Sequence, residues 1–193
     1  MIEREELLEA LKSYGALKTG HFKLSSGYHS DTYIQCMKVL EYPSFTNRVA
    51  IAMSEPYFDL PIDVVAAPAV GGIVLGFAVA QALDKKFIFA ERVRDKMVLR
   101  RGFRIREGEK VLIVDDVITK GGSIKEIVDL VNDFNAEVVG ITCLVDRGEK
   151  KNFTGSVHSL AKISASSYEP KQCPLCKKKI PLSSPGSRGL HSV

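Results

Sequence analysis

Asp115 and Asp116 are adjacent carboxylates that close a run of four apolar residues, Val111, Leu112, Ile113 and Val114. Thr119, Gly121, Gly122 and Ser123 follow, and an amphipathic helical pattern then runs over residues 124–134. A helix N-terminus presents unpaired N–H groups and the positive end of the helix dipole, which suits a phosphate. Glycines let the backbone close around such an anion, and the Thr and Ser hydroxyls add donors. The two acids would repel a bare anion at that place. A ligand that carries hydroxyl groups beside its phosphate removes the conflict, because carboxylates accept hydrogen bonds from hydroxyls. A ribose 5-phosphate has this layout.

Other readings of the acid pair fit less well. A Walker B element calls for a GxxxxGK[ST] loop, and the chain has none. The acidic pocket of a response-regulator receiver follows a first strand, whereas here about a hundred residues precede it. A dinucleotide fold calls for GxGxxG after a strand, which is also missing. A plain solvated turn leaves the density of Gly, Thr and Ser unexplained.

Three further groups of residues could do chemistry. Residues 92–106 hold seven cations: Arg92, Arg94, Lys96, Arg100, Arg101, Arg104 and Arg106. Beside a phosphate loop they read as a mobile clamp for an anionic leaving group. The bland alternative is a solvated basic hairpin. Nucleic-acid binding is disfavoured, since Phe103 is the one aromatic residue in the segment. Arg147, in VDRG, follows another apolar run. Cys173 and Cys176 make half of a zinc-ribbon pattern, which needs four ligands. His191, Cys36 or a partner chain could complete it, and the alternative is a reduced surface turn with two free thiols.

The elements that must position these residues are short strands alternating with helices. A helix is expected over residues 2–14, with Leu7, Leu8 and Leu11 on its apolar stripe. Two short strands are expected around the Ser25-Ser26-Gly27 turn, and a second helix from Pro43 to about Glu55. Then come a buried strand at 63–67, a glycine turn through Gly71 and Gly72, and an apolar helix over 73–83. Strands are expected at 86–91, 110–115 and 137–146, with one more at 157–164. The spacing predicts an α/β fold with a mainly parallel sheet flanked by helices. Ligands in such sheets bind beyond the carboxyl ends of the strands. The loops after Ala67, Glu91, Asp115 and Val145 converge there.

Composition sets the outer bounds. The chain has 193 residues, 45% hydrophobic and 26% charged, with net charge +4. That fits one globular domain with a small appendage. No apolar run approaches the length of a membrane span, and the acidic, helical N-terminus is unlike a signal peptide. Four cysteines do not form a secreted disulfide framework. The expectation is a cytoplasmic protein with no nucleic-acid or membrane partner. From Ser166 the composition shifts to Pro, Lys and Ser, which reads as a tail, with its last ten residues disordered.

DDVITKGGS resembles the phosphoribosyl pyrophosphate signature of the type I phosphoribosyltransferases. Over residues 1–165 the chain is similar to the orotate phosphoribosyltransferases. FKLSSGYHSDTY resembles their hood motif, APAVGGI their pyrophosphate turn, and VDRG the segment with their orotate-contacting arginine. A short-loop branch with a C-terminal CPLC segment is the nearest in pattern.

This resemblance implies a type I phosphoribosyltransferase fold with a small N-terminal hood at about 15–40, and an appendage at 166–193. It implies transfer of ribose 5-phosphate from phosphoribosyl pyrophosphate to orotate in UMP biosynthesis. Mg²⁺ would be held mainly by the substrate, and the enzyme would be a homodimer. Asp115, Asp116, Arg92 and Lys96 are the catalytic candidates it implies. Phosphoribosyl pyrophosphate would meet Asp115, Asp116, Val117, Ile118, Thr119, Lys120, Gly121, Gly122, Ser123, Arg92 and Gly71. Orotate would meet Thr119, Arg147 and Ser26.

The chain departs from the better-known bacterial pattern. Ser25 and Gly71 stand where that pattern has lysines, and the basic segment lacks a histidine. The departures leave open which of Arg92, Arg94, Lys96 and Arg100 acts. A purine-base phosphoribosyltransferase and a non-catalytic sensor of phosphoribosyl pyrophosphate are the alternatives. No helix-turn-helix pattern precedes the domain, which disfavours the sensor.

Overall fold

The structure, a computed structural model, describes residues 2–24, 26–94 and 96–185. Its centre is a six-stranded sheet built from β3 (Val64–Pro68), β4 (Lys86–Val93), β5 (Lys96–Leu99), β6 (Lys110–Ile118), β7 (Glu137–Asp146) and β8 (Val157–Lys162). The spatial order is β5-β4-β3-β6-β7-β8. Neighbours pair in parallel, except that β5 folds back antiparallel on β4. Every residue of β3 is buried, as expected for a strand covered on both faces.

Strand alternation divides β6 between two cores. Leu112 and Val114 join Leu7, Leu11, Val49, Met53, Leu75 and Val79, from helices α1 (Arg4–Ser13), α3 (Pro43–Ser54) and α4 (Gly71–Leu83). A short helix, α2 (Met37–Leu40), leads into α3. Val111 and Ile113 join Ile124, Ile127 and Val131 of α5 (Gly122–Asp133) on the other face. The spacing of those three residues puts them on one side of α5, and each contributes roughly 1.5–3 kcal/mol through burial.

Strand order reverses between β3 and β6. The connection from β3 through α4 leads to β4 on one side, and that from β6 through α5 leads to β7 on the other. The carboxyl ends of β3 and β6 therefore flank the crevice where open α/β sheets take their ligands.

Two boundaries differ from the sequence reading. β6 continues to Ile118, so Asp115 and Asp116 lie in a strand rather than in a turn. The reason is the length of β7, which offers ladder partners as far as Val117↔Val145 and Ile118↔Asp146. The basic segment begins as a hairpin, with Val93 paired to Lys96.

A second, three-stranded sheet contains β1 (Leu17–Lys23), β2 (His29–Ile34) and β9 (Ser167–Tyr168). β2 pairs antiparallel with both neighbours, placing His29 opposite Tyr168. The segment after residue 166 thus supplies the hood with a strand. It continues through a short helix, α6 (Pro174–Lys177), and returns to β1, where the Lys23 N–H donates to the Ser183 carbonyl at 2.8 Å. The expected disorder of the last ten residues falls, for residues 186–193, outside the described residues, as does His191.

Candidate active site

The acid pair lies in the crevice at the end of β6. Asp115 is buried, and one of its carboxylate oxygens accepts the Asp116 N–H at 2.9 Å. The Asp116 carboxylate accepts the Val117 N–H at 2.9 Å. Burial raises the Asp115 carboxyl well above its ordinary range, and the neighbouring Asp116 charge adds to the rise. Burial raises Asp116 as well. Two ionised carboxylates held this way favour a ligand that brings hydroxyl donors or positive charge.

Gly71, the first residue of α4, faces this pair across the crevice. A Cβ at that position would stand 2.7 Å from Asp116 Oδ1, closer than atoms pack. A longer side chain here would require the Asp116 carboxylate to shift.

The loop after β6 passes through exposed Thr119 and Lys120 into Gly121, which has φ +79°. Glycine adopts this left-handed conformation without strain, and the Phe153 ring leaves no room for a Cβ. Gly122 opens α5. No side chain caps that helix start among the described residues, so its first N–H groups remain available to an anion.

Arg147 follows the last residue of β7, and its N–H donates to the Ile118 carbonyl at 2.9 Å. The side chain is 6% exposed, and its Nε and Nη2 have no hydrogen-bond partner among the described residues. Burial lowers its proton affinity, while Glu149 and Asp31 of β2 oppose that shift. Asp146, its neighbour in sequence, accepts Lys151 Nζ instead.

The remaining candidates stand farther out. Arg92 Nη2 pairs with Glu126 Oε1 of α5 at 2.7 Å, and Glu126 also accepts the Met97 N–H at 3.2 Å. Lys96 is exposed on β5, and Ser26 is exposed in the hood turn. Arg101 pairs with Glu91 at 2.9 Å, so part of the basic segment is held by acids of its own surroundings.

Several contributors went unmarked in the sequence, or were marked without their partners. Lys151 ties the segment after β7 to the loop between β6 and α5 by donating to the Thr119 carbonyl at 2.8 Å. Glu126 anchors the basic hairpin. Cys173 is buried, and with Cys176 it faces His21 and His29 of the hood rather than Cys36. A histidine on each strand of one hairpin, read together with CxxC, is the signal that could have found this set.

The crevice between an acid-tipped strand and a glycine-opened helix defines the class. The family model for the phosphoribosyl transferase domain matches residues 38–169. The orotate phosphoribosyltransferase of Thermoanaerobacter sp. (strain X514) is 46% identical over 188 residues, covering 97% of this chain and 99% of that relative. The chain belongs to the orotate phosphoribosyltransferase family. The crystal structure of orotate phosphoribosyltransferase from Aeropyrum pernix matches with TM-score 0.69 at 26% identity, covering 81% of this chain and 93% of that one. Adenine phosphoribosyltransferase from Thermoanaerobacter pseudethanolicus matches with TM-score 0.57 at 20% identity, covering 68% and 88%. That likeness extends to the fold alone.

Proposed function

We propose that this protein transfers the 5-phosphoribosyl group from phosphoribosyl pyrophosphate to orotate, giving orotidine 5′-monophosphate and pyrophosphate in pyrimidine biosynthesis. One observation carries the choice of base: Arg147 is buried beside the loop before α5, with two nitrogens that have no hydrogen-bond partner among the described residues. Its planar fork matches a carboxylate in two parallel hydrogen bonds, and orotate is a planar base with a carboxylate. A neutral purine would leave those donors unmet at a cost of a few kcal/mol.

The other roles follow from position. The open N-terminus of α5 and the Thr119–Ser123 stretch hold the 5′-phosphate. Asp115 and Asp116 hold the ribose hydroxyls and offset the positive charge that grows at C1 as its bond to pyrophosphate loosens. Little covalent chemistry is asked of the protein, so orientation and charge stabilisation dominate. Arg92 and Lys96 lie on a hairpin past the rim, where closure over the pyrophosphate would exclude water.

The buried acid pair, whose proton affinities are raised, fits a Mg²⁺ that arrives with the substrate, since carboxylate and hydroxyl oxygens are its natural partners. When bound, that ion offsets the charge of the pyrophosphate. Exposed Ile51, Phe58 and Phe77 support a homodimer. Among the described residues no helix is long and apolar enough to cross a membrane. The test is to supply phosphoribosyl pyrophosphate, Mg²⁺ and one base at a time and follow each base optically. Consumption of orotate alone supports the reading, and preference for adenine or hypoxanthine overturns it.

A further inference from the structure

His21, His29, Cys173 and Cys176 each present one ligand atom, and these four atoms lie within 4.8 Å of one another. They come from β1, β2 and the CPLC turn at α6, remote in sequence and outside the crevice. We propose that they bind one zinc ion, as a structural site that fastens the C-terminal segment to the hood.

Three of the separations suit a tetrahedral ion, and the nitrogen–nitrogen one is shorter. Zinc–nitrogen and zinc–sulfur bonds of about 2.0 and 2.3 Å put tetrahedral ligands about 3.3–3.8 Å apart. Here Nε2 of His21 lies 3.5 Å from Cys173 Sγ and 3.7 Å from Cys176 Sγ, and Cys176 Sγ lies 3.4 Å from His29 Nδ1. The two imidazole nitrogens are 3.0 Å apart.

Hydrogen bonding by itself does not account for this grouping. The Nδ1 of His21 lies 2.8 Å from the Ile180 carbonyl, which can only accept, so Nδ1 carries the proton. Nε2 is then bare, with one lone pair, yet three heteroatoms crowd it. A single cation at their centre takes one lone pair from each ligand. The carbonyl on Nδ1 is also the outer partner that a metal-binding histidine usually has, fixing its tautomer and ring angle. Two sulfurs and two nitrogens in tetrahedral array select zinc over hard cations such as Mg²⁺, so this site is separate from any ion that travels with the substrate. His21, His29 and Cys173 are buried and Cys176 is exposed, and the four ligands leave no open coordination position, as in structural zinc sites.

The ion would join β1 and β2 to a segment 152 positions along the chain. Metal binding then adds to folding stability, because the ligands meet only in the folded protein.

The test uses the full chain without an affinity tag, expressed with zinc in the medium and passed over a sizing column without chelator. Elemental analysis should find about one zinc per chain. Cys173→Ser/Cys176→Ser should lower that content by more than about tenfold. Cobalt exchanged into the wild-type protein should show the thiolate charge-transfer and ligand-field absorption of a tetrahedral site, and zinc should abolish it. The cobalt spectrum decides the matter if the double variant fails to fold. Wild-type protein that contains no zinc and yields no tetrahedral cobalt spectrum overturns the proposal. So does a double variant that keeps its full zinc content.

Discussion

Replacing Arg147 with methionine keeps most of the side-chain length and removes the charge. The wild-type residue is 6% exposed, and its Nε and Nη2 have no hydrogen-bond partner among the described residues. An orotate carboxylate would form two charge-assisted hydrogen bonds there, each worth about 1.5–3 kcal/mol. Losing both costs about 3–6 kcal/mol, which at about 1.4 kcal/mol per decade is a hundredfold to ten-thousandfold loss of orotate affinity. Binding of phosphoribosyl pyrophosphate should change by less than about 1 kcal/mol, because its proposed contacts lie on the other loops. The same substitution should raise the melting temperature of the ligand-free protein. A buried cation with two nitrogens lacking hydrogen bonds is costly, and a methionine of similar reach is not. Arg147→Lys should restore only part of the affinity, since an ammonium lacks the fork. The assays are calorimetric titration with orotate, initial rates at saturating phosphoribosyl pyrophosphate, and thermal unfolding. Orotate affinity unchanged in Arg147→Met, together with a lower melting temperature, would refute the reasoning and make Arg147 a structural residue.

Asp116→Asn should cut turnover at least tenfold, a barrier rise of about 1.4 kcal/mol. It should also stabilise the ligand-free protein at neutral pH. Burial raises the folded-state affinity of Asp116 for its proton, so its contribution to stability is fully present below the unfolded value and is lost as pH rises through the folded one. The gain should therefore vanish in acid, and a gain that persists at low pH would argue against this account. Gly121→Ala should raise KM for phosphoribosyl pyrophosphate, because a Cβ would meet the Phe153 ring and the backbone has φ +79°; steady-state rates check this. Glu126→Ala should alter stability by less than about 1 kcal/mol, since its partner pair is partly exposed. It should speed protease cleavage between residues 92 and 100, with phosphoribosyl pyrophosphate protecting. Equal cleavage with and without that ligand would count against closure of the hairpin over the pyrophosphate.

Much of this was legible in the sequence where local pattern and tertiary demand agree. The buried run before Asp115, the glycine at the α5 start and the apolar face of α5 each signal their own place. The failures share a cause, which is dependence on a distant partner. Whether the acids end a strand or form a turn is decided by the length of β7, and nothing near Asp115 reports that. The pairing of Arg92 with Glu126 joins a strand to a helix 34 positions away. Cys173 and Cys176 resembled a surface turn because their neighbours are Pro and Lys, while the residues that face them lie near the other end of the chain. Arg147 stood out in the sequence through its VDRG setting, but its depth of burial comes from the surrounding elements and has no local signal.

The hood draws its strands from both ends of the chain, and that sets an order on synthesis. At the usual elongation rate of about 5–20 residues per second, the 152 positions between His21 and Cys173 take roughly 8–30 s to make. Throughout that interval β1 and β2 have neither their third strand nor the CPLC turn against them. The central sheet, β3 to β8, has all its strands once residue 162 has emerged. The nascent chain can therefore build its sugar-phosphate crevice first, and the hood is completed last.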